Sequence, residues 1–519
     1  MTNHLYDALI APHIGNQNCF LILEEFGPAS SKMSFDEFVR LTAKVSRVLV
    51  AQGVSPGDRV VVQAPKRPEM LALYTACMQI GAVFLPLNTG YKIDELSYFI
   101  TDATPRLLVC EDRGSNALAS VAAQVGAQIL TLNADGGGSL SQAIDAAEPL
   151  ADVAARGPDD LAALLYTSGT TGRSKGAMLT HDNLLSNARA LTAAWKISDA
   201  DMLIHALPIF HTHGLFVAMN TALLAGARVN FMAGFDLDAI LDAMPASTLM
   251  MGVPTFYTRL LSSDRLTANL ASNMRLFVSG SAPLLAETHE AFTARTGHHI
   301  LERYGMTETN MNTSNSYDGD RISGTVGLPL PGIDVRLTDA AGDPVSTGQV
   351  GMIEVRGPNV FKGYWNMPEK TAEELRSNGF FITGDLGQFD DRGYLSIVGR
   401  QKDLIITGGY NVYPKEIEDV LNDIEGVRES AVYGVPHADF GEMIIAAVVP
   451  ERGALLDEAA IKAVVEPKLA RFKHPRRYEM VSELPRNTMG KVQKNVLRNS
   501  YTPDEFRETL GSQQGPQGR

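Results

Sequence analysis

Tyr166-Thr167-Ser168-Gly169-Thr170-Thr171-Gly172-Arg173-Ser174-Lys175-Gly176 is the stretch on which the fold turns. It follows the apolar run Leu161-Ala162-Ala163-Leu164-Leu165, which reads as a buried strand. After it, Ala177 to Leu184 carries a Thr/Asp start signal, so an amphipathic helix is expected to open there. Three glycines and five Ser/Thr hydroxyls in eleven residues let backbone N–H groups and side chains close around a polyanion. Glycine is needed where a Cβ would block that approach, and Arg173 and Lys175 offset phosphate charge. The glycine spacing never matches a Walker A loop. Six of these residues alone would read equally well as a Ser/Gly-rich turn. All eleven, between a strand and a helix, favour phosphate binding.

The bulk numbers suit a soluble globular protein. A chain of 519 residues exceeds one core, since cores stop growing near roughly 250–300 residues, so two or more domains are expected. Lys+Arg 45 against Asp+Glu 59 leaves a net charge of −14, which argues against nucleic acid or anionic membrane as the main partner. Cys19, Cys77 and Cys110 are widely spaced and form no CxxC pair, so structural disulfides and zinc are not expected. Met1 to Ile14 lacks a signal pattern, and the apolar run Leu215 to Ala227 is too short for a membrane span. A cytoplasmic location is the expectation.

Residues 1–130 alternate helical and extended patterns. Phe35 to Gln52 and Met70 to Ile80 read as helices, Arg59 to Gln63 and Arg106 to Cys110 as strands. That alternation implies an α/β fold with a mainly parallel sheet. Further on, Phe210-His211-Thr212-His213-Gly214 places two histidines two apart, but no further Cys/His cluster accompanies them to complete a zinc site. Leu301-Glu302-Arg303-Tyr304-Gly305-Met306-Thr307-Glu308-Thr309 offers an aromatic face for a base, a glycine for close approach, a hydroxyl for phosphate and a carboxylate for Mg²⁺. A Thr/Glu helix-capping pair is the plainer alternative for Thr307 and Glu308.

With Phe277 to Leu284, Phe381-Ile382-Thr383-Gly384-Asp385, Gly393 to Arg400, Gly408-Gly409-Tyr410 and Pro485 to Lys494, these segments resemble the adenylate-forming superfamily. That superfamily comprises acyl-CoA synthetases, nonribosomal adenylation domains and firefly-type luciferases. Most members carry Pro-Lys-Gly where this chain has Ser174-Lys175-Gly176. The resemblance implies a large multi-sheet α/β domain over 1–400, a small mobile α+β domain over 401–510, and a disordered tail over 511–519. It implies ATP, Mg²⁺ and coenzyme A, and two steps: a carboxylate displaces pyrophosphate to give an acyl-adenylate, then the CoA thiol displaces AMP.

Roles follow residue by residue. Thr167, Ser168, Gly169, Thr170, Thr171, Gly172 and Lys175 would hold the triphosphate. Gly280, Ser281, Ala282, Tyr304 and Gly305 would hold the adenine, and Asp385 and Arg400 the ribose or phosphates. Thr307, Glu308 and Lys491 would be catalytic, with Glu308 the Mg²⁺ ligand and Lys494 a less favoured neighbour of Lys491. His211 and Met306 would border the acyl group. Gly408, Gly409 and Tyr410 would line the pantetheine tunnel, with the hinge at Lys402. A reactive lysine at 491 also suggests regulation by lysine acylation.

The acid is indicated by three polar residues where the family places its acyl pocket: Arg259, Ser281 and Arg303. A buried arginine beside an alkyl chain is costly, whereas it can bind a second carboxylate bidentately. The segments around these arginines and Lys491 look most like malonyl-CoA synthetases, with methylmalonate the runner-up because one methyl discriminates poorly. Structural salt bridges from Arg259 and Arg303 to Glu302 or Asp264 are the alternative. A short- or medium-chain acyl-CoA synthetase and a carrier-loading adenylation enzyme also stay open, as do monomer and homodimer.

Overall fold

The computed structural model describes residues 2–23, 32–167, 174–407, 410–437, 440–454, 456–487 and 490–501. Ser168 to Gly172, Gly408 and Gly409 therefore lie outside the described residues, as does the expected tail. The chain divides into two compact units. The first holds 1–336, 354–383 and 389–396; the second holds 337–353, 384–388 and 397–519. The chain passes between them inside the strands Asp334–Thr338, Gly351–Arg356, Phe381–Phe389 and Leu395–Arg400.

The first unit contains a six-stranded sheet in the order Gln128–Thr131, Leu107–Cys110, Arg59–Gln63, Val83–Pro86, Leu161–Thr167, Lys175–Thr180. The first five of these strands run parallel, as the alternating pattern implies. The helix Phe35–Ala51 starts at Ser34, whose side chain accepts from Glu37 N while Glu37 accepts from Ser34 N, a complete capping box.

Beyond the phosphate-loop stretch the structure departs from expectation. The helix does not follow the loop; Lys175–Thr180 is a strand that folds back antiparallel on Leu161–Thr167, pairing Thr167 with Lys175 and Leu165 with Ala177. Ala177 and Leu179 are buried in that pairing, and their burial outweighs the nearby start signal. The signal is real but acts one strand later. Thr180 caps the helix His181–Ala194, its Oγ1 accepting from Asn183 N at 3.1 Å. The strands that flank the stretch thus pair with each other, and the helix begins only after the second of them.

A nine-stranded sheet fills the rest of the first unit. Its centre is parallel: Leu301–Met306, Leu276–Ser279, Leu249–Gly252, Met202–His205 and Arg228–Phe231. Asn310–Ser314 then returns antiparallel to Leu301–Met306, so Thr307 and Glu308 sit in a hairpin turn and cap no helix. Ligands in such sheets bind beyond the carboxyl ends of the parallel strands. Gly280, Thr307 and the helix Pro254–Leu261 all follow such ends.

The second unit is built on the long antiparallel pair Val427–His437 and Gly441–Pro450. Side chains alternate across it. Val432, Ile444, Ala446 and Val448 join one core with Ile417, Leu421 and Ile461, while Ala431, Tyr433, Ile445 and Ala447 join another with Leu484 and Leu497. Both faces are therefore apolar and covered.

Candidate active site

Arg303 is fixed by its strand. It lies in Leu301–Met306, 4% exposed, and its neighbours leave its Nε and Nη2 without a hydrogen-bond partner among the described residues. Burial pulls the guanidinium down to about 9, with the Tyr257 hydroxyl the one group acting to raise it. Neither Glu302 nor Asp264 pairs with it; Glu302 instead faces His289 at 3.6 Å and accepts from Gly324 N. A buried arginine with two unused donors is an unfinished arrangement in a folded protein.

Three groups frame it. The guanidinium carbon lies 2.3 Å from where a Cβ on Gly280 would stand, so it packs flat on the bare backbone of that glycine. Ser281 adopts φ +72, a left-handed conformation uncommon for a residue with a side chain. His213 Nδ1 lies 3.3 Å from Ser281 Oγ, and its Nε2 is buried without a partner among the described residues. Burial holds the His213 imidazole well below its ordinary value, and Arg303 and His211 push it the same way. It opens a π-helical turn, His213–Met219, a form found mostly at functional sites.

His213 is thus the residue that sequence reasoning undervalued. His211, chosen for the acyl side, is half-buried, its Nδ1 accepting from His213 N at 3.3 Å. Arg259 is not brought to Arg303. It sits on the exposed face of the helix Pro254–Leu261, its guanidinium 5.2 Å from the Phe235 ring centroid, while Tyr257 supplies the buried face. Met306 and Ala282 are half-buried and Tyr304 is buried. Gly305 has no room for a side chain, since a Cβ would meet Asn310 O at 1.8 Å.

Glu308 and Lys175 belong to one polar cluster. The Glu308 carboxylate is 4% exposed; burial raises its pKa, with Lys175 opposing. Tyr364 Oη lies 3.1 Å from Glu308 Oε1 and donates to Glu374 Oε2 at 2.6 Å. Lys175 Nζ donates to Tyr364 Oη at 3.1 Å and to both Glu374 oxygens. Tyr364 and Glu374 lie in no motif singled out from the sequence. Thr167 is half-buried at its strand's end, with Oγ1 3.5 Å from Lys175 O, and Thr307 is half-buried in the turn before Glu308.

The second unit carries the remaining candidates. Arg400 Nε pairs with Asp385 Oδ1 at 3.0 Å, the carboxylate being 6% exposed. Lys402 lies in the short helical turn Gln401–Asp403, where burial lowers its pKa against the pull of Asp403. Tyr410 is 57% exposed and stacks on Phe472, ring centroids 4.6 Å apart. Lys491 is exposed beside a tight turn in which its N donates to Asn487 Oδ1 at 2.9 Å. Lys494, by contrast, is tied to Glu418 at 2.6 Å.

Among the described residues no three His, Cys, Asp or Glu side chains group to hold a metal. Mg²⁺ is less demanding. It takes one or two protein carboxylates and fills its shell with water and phosphate, so the buried Glu308 carboxylate fits it. No helix of the described residues is long and apolar enough to cross a membrane.

Comparison with known proteins agrees. The model of the AMP-binding enzyme family matches residues 21–365, and that of the AMP-binding enzyme C-terminal domain matches 416–491. ATP-bound MatB from Rhodopseudomonas palustris superposes with a TM-score of 0.94 at 55% identity, covering 96% of this chain and 99% of that one. A feruloyl-CoA synthase from Amycolatopsis is 36% identical over 474 residues, 90% of this chain and 94% of its own. A malonate–CoA ligase from Arabidopsis thaliana is 35% identical over 487 residues, 87% of this chain and 79% of its own. The chain belongs to the family of AMP-binding, adenylate-forming enzymes.

Proposed function

We propose that this ATP-dependent acid–CoA ligase takes malonate. The observation that carries the reading is Arg303, buried with Nε and Nη2 unpartnered. A monocarboxylic acid would leave those donors unpaired, at a cost in the range of about 1–3 kcal/mol or more for a buried polar group. The second carboxylate of malonate accepts from both in the fork geometry that guanidinium favours. Ser281 and His213 stand beside that carboxylate as neutral partners. Feruloyl and malonate ligases are similarly related to the chain by sequence, so the support for malonate comes from the buried charge.

The reaction then divides among residues as follows. The free carboxylate of malonate attacks the α-phosphorus of ATP and pyrophosphate leaves, giving malonyl-adenylate; the CoA thiolate then attacks the acyl carbon and AMP leaves. Both adenylation partners are anions, so cations aimed at the shared charge lower the barrier. Lys491 supplies one, and its exposure supports the choice over Lys494, which is paired with Glu418. Lys175 and the rest of the loop hold phosphate. Mg²⁺ held by Glu308 would neutralise phosphate charge. Asp385, oriented by Arg400, accepts from the ribose hydroxyls. Lys402 is the hinge we assign, separating 1–400 from 401–510, and Gly408 to Tyr410 line the CoA path.

The test is AMP formation from ATP, Mg²⁺ and CoA with malonate, methylmalonate, acetate, butyrate and benzoate, for wild type and Arg303→Ala. Malonate leads in the wild type, and the substitution removes that lead. A lead for butyrate or benzoate with Arg303 dispensable overturns the substrate and leaves the enzyme class intact.

A further inference from the structure

Glu374 ends the helix Pro368–Glu374 and stands between two lysines. Lys175 Nζ lies 3.0 Å from its Oε1 and 3.1 Å from its Oε2, and Lys370 Nζ, one turn back, lies 3.0 Å from Oε1. Lys175 is the more enclosed of the two, 17% exposed against 37%. Tyr364 reinforces the hold. Its hydroxyl donates to Glu374, and its ring centroid lies 4.1 Å from Lys175 Nζ. The lysine that closes the phosphate loop is therefore already engaged by an anion of the protein itself.

An ammonium in contact with both oxygens of a carboxylate cannot serve a triphosphate at full strength without leaving them, and the two anions repel at that range. Leaving a half-buried carboxylate unpaired would be costly, and Lys370 removes that cost because it holds Glu374 independently. We infer that Glu374 is an internal counter-anion of the phosphate loop: it holds Lys175 in the nucleotide-free enzyme, yields it to the triphosphate, and is then retained by Lys370. This rests on the reading of Lys175 as a phosphate ligand.

The consequence is a pair of substitutions with opposite signs. Glu374→Gln keeps the shape and removes the competitor, so Mg-pyrophosphate binds tighter. Lys370→Met removes the alternative partner, so Glu374 grips Lys175 harder and pyrophosphate binds more weakly. In the Glu374→Gln background Lys370→Met changes nothing further. Glu369→Gln removes an exposed charge from the first turn of the same helix and controls for the general field.

The experiment is calorimetric titration of the full chain with pyrophosphate and Mg²⁺, alongside the KM for ATP. Glu374→Gln should tighten pyrophosphate roughly three- to tenfold and lower the KM for ATP, the scale of one partly exposed ion pair. Lys370→Met should shift both the other way. Lys175→Ala separates the two levels of the argument. If it leaves pyrophosphate binding unchanged, the phosphate reading of Lys175 falls, and the inference with it. If it weakens binding while Glu374→Gln gives no gain, the inference alone falls. A gain from Glu369→Gln equal to that from Glu374→Gln overturns it too, as does weakening by Lys370→Met that persists when Glu374 is Gln.

Discussion

The Arg303 guanidinium lies against the bare Cα of Gly280, so close that a Cβ there would fall 2.3 Å from its central carbon. The contact is between a side chain on one strand and the residue that ends its neighbour, Leu276–Ser279. It fixes where the guanidinium can point. Gly280→Ala must push Arg303 aside, since the new Cβ would overlap its guanidinium. We expect the KM for malonate to rise by at least about tenfold, the scale of one lost charge-assisted contact, with the KM for ATP little changed. Separate saturation curves for the two substrates check it.

The pH profile gives a second expectation. Burial holds Arg303 down to about 9, and only the protonated guanidinium attracts a second carboxylate. As pH rises through that value the free enzyme loses the charge, so kcat/KM for malonate should fall about tenfold per pH unit above it. The profile for butyrate lacks this limb, which separates Arg303 from any other group titrating there. A malonate profile parallel to that of butyrate would contradict the assignment.

His213 stands next to Ser281 with one ring nitrogen buried and unpartnered. It is neutral across the working range, because burial, Arg303 and His211 all oppose its protonation. His213→Ala should therefore weaken malonate use by roughly 1–2 kcal/mol, the value of a neutral hydrogen bond with its desolvation, and produce no new break in the profile between pH 5 and 8. Initial rates at several pH values show both.

Lys491 and Lys494 should separate cleanly. Lys491→Ala should slow adenylation by several orders of magnitude while leaving CoA transfer from chemically made malonyl-adenylate near wild type. Lys494→Met breaks the pair with Glu418, which also accepts from Val432 N, and so should lower thermal stability while retaining adenylation. Pyrophosphate exchange and a melting curve distinguish them.

Part of the fold was legible because its signals are local. The helix Phe35–Ala51 and the strand Arg59–Gln63 each follow from neighbouring residues. The hairpin after the phosphate loop was not legible, because pairing Thr167 with Lys175 is a property of two strands and the start signal at Thr180 lay nearby. Tyr364 and Glu374 lie 189 and 199 positions from Lys175, and no local pattern joins them. Arg259 was readable in principle. On a helix, residues two apart point about 200° away from each other, so a buried Tyr257 already implied an outward Arg259.

The two cores of the second unit share one pair of strands, with Ile444 facing one and Ile445 the other. Deleting a single residue from either strand would exchange every side chain beyond the deletion between the faces. On a half-polar sheet such a change exposes one apolar row. Here it would seat each row in a cavity shaped for the other, disrupting two cores at once. Single-residue insertions and deletions in this unit should accordingly be tolerated only outside these two strands.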